Sequence, residues 1–165
     1  MKESPFHADE REALDVLRLS FLKQMELDHL QAILRMSVRR VYEPDEVIIQ
    51  EGASDSYLYL LLTGEVMIVK HGAAVGRLRQ AGDVFGEVAV LDYMPRSATA
   101  VALSPVACLA MDAAAFIALP AASQAVLYAI LYKSLARVVT ERLRATSDEL
   151  ASLKRSIMTD VVVAV

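Results

Sequence analysis

The spacing of apolar positions divides the chain of 165 residues into three parts. Over residues 10–38 apolar residues recur every three or four positions, as at Leu14 and Leu17, which predicts helix. Over residues 39–111 short β-rich runs replace that spacing. Helical spacing returns over residues 121–157 as one long segment. The pattern therefore predicts an α+β chain in which strands are flanked by helices.

The middle part of the chain reads as a series of short strands separated by turns. The β-rich runs are residues 41–42, 47–50, 57–63, 65–69, 75–79, 97–103 and 106–111. Gly, Pro, Asp and Ser residues separate them, at positions 43–45, 52–55, 64, 71–72, 81–82 and 104–105. Many short strands with regular turns favour a small antiparallel barrel or roll.

Composition and charge favour one globular domain and argue against nucleic-acid binding. With 55% hydrophobic residues, a chain of this length is expected to bury about 70% of its unfolded surface. The net charge is −4 and the pI about 5.4, so the chain as a whole lacks the excess of positive charge that is typical of DNA-binding proteins. The single cysteine, Cys108, cannot form an internal disulfide, and its apolar surroundings predict a small buried side chain.

Signals for catalysis, metal binding and membrane insertion are weak. The three histidines, His7, His29 and His71, are scattered and lack the spacing of metal ligands. No spacing suggests a nucleophile beside a base, so no catalytic residue is assigned and we expect a non-enzymatic protein. The charged N-terminal residues do not form a secretory signal, and no apolar run is long enough to cross a bilayer. A cytoplasmic protein is the expectation.

Candidate binding chemistry is concentrated in residues 82–100. Gly86 allows the backbone to approach a ligand closely, and the amides that follow begin a short helix-compatible run, where unpaired donors favour an anion. Arg96 offers a planar fork of donors suited to phosphate oxygens. Glu87 accepts hydrogen bonds when ionised and repels a phosphate, so a sugar hydroxyl suits it better.

Residues 85–87 together with 95–99 resemble the phosphate-binding cassette of cyclic nucleotide-binding domains. This family includes the regulatory subunits of cyclic-nucleotide-dependent kinases, the cytoplasmic sensors of certain channels and regulators of the catabolite-activator type. The resemblance implies an antiparallel β-roll with jelly-roll topology, N-terminal helices, a short cassette helix and a long C-terminal helix. It divides the chain into a helical lead-in (1–38), a roll (39–111) with the cassette at 82–100, a hinge and long helix (112–157), and an apolar tail (158–165).

The resemblance also assigns a role to individual cassette residues. Gly86 and Val88 are implied to present backbone amides, Glu87 to hold the ribose 2′-hydroxyl, and Arg96 and Ser97 to bind the cyclic phosphate. The implied ligand-binding set is Phe85, Gly86, Glu87, Val88, Ala89, Arg96, Ser97 and Ala98. The ligand is cyclic AMP or cyclic GMP, a choice that the sequence leaves open, and no other cofactor is expected. Arg96 is predicted to be a buried guanidinium that lacks an anion until a nucleotide binds.

The long C-terminal helix carries a heptad seam and further candidate ligand contacts. Its seam residues are Tyr132, Ala136, Val139, Leu143, Thr146, Leu150, Leu153 and Ile157. This seam, within 132–157, predicts a parallel homodimer or packing against an effector domain or protein. The adjacent Thr146 and Ser147 resemble the pair that reaches the purine in catabolite-activator-type sensors. Arg142 is a second candidate, because an arginine can stack over a purine.

These features predict a regulatory module that binds a cyclic mononucleotide and signals when the C-terminal helix closes over the base. Residues 158–165, which follow the helix, are too short to form a helix-turn-helix reader, so DNA is not an expected partner. The alternative is a domain with the same fold that dimerises or docks a partner without needing ligand. The long apolar helix and the apolar tail favour that alternative.

Overall fold

The computed structural model describes residues 1–5, 31, 33–92, 94–114 and 121–163. Its nine strands are β1 (Lys2–Pro5), β2 (Ser37–Tyr42), β3 (Val47–Ile49), β4 (Tyr57–Thr63), β5 (Val66–Lys70), β6 (Ala73–Leu78), β7 (Val84–Phe85), β8 (Thr99–Ala102) and β9 (Val106–Asp112). Two helices have described bounds, α1 (Glu87–Asp92) and α2 (Ala121–Val163). All described strand pairs are antiparallel.

The strands form two sheets that face each other. One sheet has the order β1-β2-β9-β4-β7 and the other the order β3-β8-β5-β6. Between the sheets lies a buried cluster that includes Tyr59, Leu61, Phe85 and Cys108. Burial raises the pKa of the Cys108 thiol to about 12, which is consistent with the inert buried side chain predicted from the sequence.

The uninterrupted apolar run in β4 has a structural reason. Tyr59 and Leu61 point into the space between the sheets, whereas Leu58 and Leu60 belong to a second buried cluster on the outer face of the first sheet. That second cluster also contains Ile33, Val90 of α1 and Leu135 of α2. Because β4 is covered on both faces, its sequence lacks the polar alternation of a half-exposed strand.

The α+β class and the antiparallel roll predicted from the sequence are confirmed, as are the short helix in the cassette and the long C-terminal helix. The strand predicted at 57–63 has the same limits in the structure. The long helix extends to Val163 rather than ending near Ile157. Ala114 N donates to Asp112 Oδ1 at 3.0 Å, a hydrogen bond of the kind by which an aspartate caps a helical turn.

The segment predicted as a helical lead-in, residues 1–38, contains strand residues at both of its ends. Residues 2–5 form a strand paired with β2, and β2 itself begins at Ser37. The Ser37 hydroxyl donates to the Ile33 carbonyl at 2.7 Å where the preceding helical turn ends. Pairing with β9, from Ser37↔Met111 onward, extends the strand beyond its apolar part. Most of the helix predicted over 10–38 lies outside the described residues.

Two glycines in turns between strands provide a matched test that separates steric overlap from backbone strain. Gly64 (φ +95°) and Gly72 (φ +79°) are both in the left-handed region. A Cβ at Gly64 would overlap the Pro105 carbonyl oxygen and lie 2.9 Å from Val106 Cα, whereas a Cβ at Gly72 meets nothing within 4 Å. Gly64→Ala is expected to lower the free energy of unfolding by about 2–4 kcal/mol, and Gly72→Ala by about 1 kcal/mol. Urea denaturation measures both, and equal losses would contradict the packing argument.

Candidate functional site

A cavity of about 270 Å³ lies at the cassette, between the strands and α2. Its volume is near the lower end of small-molecule sites, which span about 300–1,000 Å³. Every cassette residue predicted to bind ligand lines it. The lining residues are Ile49, Ile68, Lys70, Val75, Phe85, Gly86, Glu87, Val88, Ala89, Arg96, Ser97, Ala98, Ala100 and Arg142.

Gly86 joins β7 to α1 in a conformation that requires glycine. Its φ of +79° is in the left-handed region, and an added Cβ would lie 2.7 Å from Arg96 Nη1 and 3.0 Å from the Tyr57 carbonyl oxygen. The preceding residue, Phe85, is buried and stacks on Tyr59 with ring centroids 5.1 Å apart. The turn is therefore fixed on one side by the core and on the other by Arg96.

Arg96 is buried at the inner end of the cavity, with 3% of its surface exposed. Its Nε donates to Asp55 Oδ2 at 3.1 Å and its Nη1 to the Gly86 carbonyl at 2.7 Å. Its Nη2 donates to Asp55 Oδ1 and to the Tyr57 carbonyl. These bonds use four of the five N–H donors of a guanidinium, and one on Nη1 is left for a ligand in the cavity.

The prediction that Arg96 lacks an anion without nucleotide is wrong, because Asp55 already forms an ion pair with it. A guanidinium this buried needs a nearby counter-charge, since desolvating a lone charge costs several kcal/mol. From the sequence, residues 52–55 are predicted only to form a turn between strands. A carboxylate in a turn gives no sign that it pairs with a residue 41 positions away.

The loop that contains Asp55 also holds the backbone of Arg96. Gly52 N donates to the Arg96 carbonyl and Arg96 N donates to the Ala53 carbonyl, both at 2.8 Å. Arg96 is thus held through its backbone and its side chain by the same four-residue stretch, 52–55. Its position is set by this loop as well as by the cassette.

Glu87 is also buried and paired, with 3% of its surface exposed. Arg142 of α2 donates from Nη1 to Glu87 Oε1 and from Nη2 to the Val84 carbonyl. Arg142 lines the cavity as predicted, yet it contacts the carboxylate expected to hold the ribose. A carboxylate has about four acceptor positions, so Glu87 can accept a further hydroxyl while it remains bonded to Arg142.

Thr146 and Ser147 are exposed and do not line the cavity. They follow Arg142 by one turn or more, and one turn advances a helix by about 5.4 Å. From Leu143 to Arg155, every residue of α2 is exposed, so the helix leaves the body of the protein after Arg142. A base contact by Thr146 or Ser147 stays a prediction that needs a different helix position.

A larger cavity of about 430 Å³ lies on the other side of Asp55. Its lining is mainly apolar and includes Val90, Pro95, Tyr128 and Tyr132. The smaller cavity is the better candidate site, because the buried charges of Arg96 and Glu87 converge there.

Among the described residues, no group of three His, Cys, Asp or Glu side chains is arranged for a metal ion. None of the described helices is both long and apolar enough to cross a bilayer.

The Asp55–Arg96 pair predicts how stability depends on pH. Burial alone would raise the pKa of Asp55, but hydrogen bonds from Arg96 and the Tyr57 amide, together with the charges of Arg96 and Arg40, lower it below its ordinary value. The stabilisation is therefore full above the unfolded-state pKa of about 3.9 and is lost as pH falls through the lower folded-state value.

Asp55→Asn is expected to lower the free energy of unfolding at pH 7 by about 1–3 kcal/mol, less than for a fully buried pair because Asp55 is a third exposed. The difference from wild type should shrink below pH 4. Urea denaturation at pH 7 and pH 3 measures it, with the exposed Asp45→Asn as control. A loss that stays constant with pH would exclude the ion pair as its cause.

Known proteins resemble this chain in sequence. A regulatory subunit of cAMP-dependent protein kinase from Candida albicans is 34% identical over 101 residues, covering 61% of this chain and 22% of that protein. The cGMP-dependent protein kinase egl-4 of Caenorhabditis briggsae is 30% identical over 101 residues, covering 61% of this chain and 13% of that protein. The chain thus spans less than a quarter of either relative.

Among solved structures, the catabolite activator protein of Thermus thermophilus superimposes with a TM-score of 0.65 at 26% identity, covering 81% of this chain and 62% of that chain. Residues 39–123, just over half of the chain, match the cyclic nucleotide-binding domain family. This match includes both halves of the cassette and the loop that carries Asp55. The chain therefore belongs to the cyclic nucleotide-binding domain family.

Proposed function

We propose that this chain is a sensor that binds cyclic AMP or cyclic GMP in the 270 Å³ cavity and signals through α2. The observation that carries the proposal is the convergence of Arg96 and Glu87 on one cavity beside Gly86. A cyclic mononucleotide has one anionic group and one free ribose hydroxyl close together. The two side chains offer a cation and an acceptor at matching places.

In the proposed complex the phosphate lies against Arg96 and the backbone amides that follow Gly86. The remaining Nη1 donor of Arg96 and the Ser97 hydroxyl complete the anion site. Asp55 accepts hydrogen bonds from Nε and Nη2 of Arg96 and so holds the guanidinium in place, which means that little reorganisation is needed when the ligand binds. Glu87 accepts the ribose 2′-hydroxyl, and the apolar side chains of Ile49 and Ile68 contact the rest of the nucleotide.

Signalling is proposed to use the contact between Glu87 and Arg142. This ion pair joins the carboxylate expected to hold the ribose to the helix that leaves the domain. A ligand that binds Glu87 changes the stability of that contact and so shifts the helix between two positions. Couplings of this kind are typically about 1–3 kcal/mol. The Arg142–Glu87 ion pair supports this proposal, and the second helix position is part of it.

The exposed seam of α2 favours a second candidate function, dimerisation with a second copy of the chain. Leu143, Leu150 and Leu153 are 65%, 51% and 55% exposed. They lie on the part of the helix that nothing described covers, and exposed leucines in a row at heptad spacing are typical of a coiled-coil interface. An effector domain is the competing occupant of the seam. A regulatory, non-catalytic role and a cytoplasmic location stay predictions.

Arg96→Ala tests the nucleotide proposal. Loss of the main counter-charge for the phosphate is expected to weaken cyclic AMP and cyclic GMP binding by about 30- to 1,000-fold, or about 2–4 kcal/mol. Isothermal titration calorimetry measures it, with circular dichroism to verify folding. Arg137→Ala is the control, since Arg137 is exposed on α2 and pairs with Glu141 at 3.7 Å.

Wild-type affinity in Arg96→Ala would refute the assigned phosphate site. Millimolar cyclic nucleotide should also raise the melting temperature of the wild-type protein. A wild-type protein whose melting temperature does not respond would favour the ligand-independent dimerisation or docking domain.

Leu150→Lys tests the seam, with Ala151→Lys as the matched control one position off the seam. Each leucine buried in a dimer contributes about 1.5–3 kcal/mol, and a symmetric dimer loses two of them. Dimerisation is therefore expected to weaken by at least about 100-fold in Leu150→Lys and to change little in Ala151→Lys. Sedimentation velocity over a concentration series measures both. A wild-type chain that is monomeric at high micromolar concentration would show that a second copy does not occupy the seam.

A further inference from the structure

Lys70 differs from the two arginines that line the same cavity. Arg96 is paired with Asp55 and Arg142 with Glu87. Lys70, the last residue of β5, also lines the cavity, yet none of the described carboxylates forms an ion pair with it. Lys70 is exposed, so its ammonium group is solvated and available to a ligand.

The strand register places Lys70 at the outer end of the cavity. Ile68, two residues earlier on the same face of β5, is opposite Ala100 and Gly76, and Lys70 is opposite Ala73. Val75 on the neighbouring β6 also lines the cavity and is 60% exposed, whereas Arg96 and Glu87 are each 3% exposed. In the proposed complex, with the phosphate at Arg96 and the ribose at Glu87 in the buried part of the cavity, the base extends toward this exposed end, which Lys70 lines.

The chemistry of a lysine at that position discriminates between purines. An ammonium group has three donors and no acceptor. Guanine presents an acceptor, O6, at position 6, whereas adenine presents an amino donor there; both bases have the N7 acceptor. A lysine beside position 6 therefore donates a charge-assisted hydrogen bond to O6 of guanine, whereas it has no acceptor to offer the amino group of adenine. The guanidinium of Arg142, which also lines the cavity, is likewise a donor only.

We propose that Lys70 is a specificity-determining residue that selects guanine over adenine, so that the site prefers cyclic GMP. This inference rests on the proposed binding of a cyclic mononucleotide and adds the identity of its base. It concerns the exposed mouth of the cavity, whereas the proposed function depends on its buried end. The two can therefore fail separately.

The experiment compares cyclic GMP, cyclic AMP and cyclic inosine monophosphate by isothermal titration calorimetry. Cyclic inosine monophosphate keeps O6 but lacks the 2-amino group, so it isolates recognition at position 6. Wild type is expected to bind cyclic GMP and cyclic inosine monophosphate about tenfold more tightly than cyclic AMP. Lys70→Met is expected to remove that preference while cyclic AMP affinity changes less than about twofold. Arg77→Met is the control, since Arg77 is an exposed cation on β6 that does not line the cavity.

Each other outcome overturns the assignment in a distinct way. A wild-type protein that binds cyclic AMP as tightly as cyclic GMP has no such selection. A preference that survives in Lys70→Met, or disappears in Arg77→Met, places the selection elsewhere. Equal weakening of all three ligands in Lys70→Met means that the lysine binds the phosphate. Failure of all three nucleotides to bind wild type refutes the proposed function itself, and with it this inference.

Discussion

The buried guanidinium of Arg96 is the constraint on which the geometry of the cavity depends. A charge with 3% exposure is tolerated only with a counter-charge and satisfied donors. The loop of residues 52–55 supplies Asp55 and two backbone hydrogen bonds, and Gly86 supplies both a carbonyl and the space that a Cβ would fill. The site is therefore rigid at its inner end before any ligand binds.

The two carboxylates that pair with arginines in this region differ because their partners belong to different parts of the fold. Asp55 faces Arg96 from a loop that is part of the roll, so that ion pair is internal to one rigid unit. Glu87 faces Arg142, which comes from a helix with few described contacts beyond that point. One ion pair joins two parts of the roll, whereas the other joins the cavity to the C-terminal helix. The family match covers the first pair and ends before Arg142, at residue 123.

The sequence predicted what depends on local chemistry and missed what depends on distant partners. The strand at 57–63, the turn at Gly64 and the cassette helix follow from apolar runs and turn residues, and they are present. The cavity contains all eight predicted cassette residues, because their spacing along the chain is itself the motif. The partner of Arg96 and the contact of Arg142 with Glu87 were not predictable, since each joins residues 41 or 55 positions apart. Strand β1 was missed because its stability comes from pairing with β2 rather than from apolar residues of its own.

The projection of α2 beyond Arg142 has a mechanical consequence. From that residue to Val163 the helix rises by about 30 Å, and its described side chains there are exposed. A rigid rod of that length is a lever with its fulcrum at the Arg142–Glu87 contact. A tilt of about 10° at the fulcrum displaces the far tip by about 5 Å, comparable with one helical turn. In the proposed signalling, a small rotation at that contact would therefore become a displacement of several ångströms at the far end of α2.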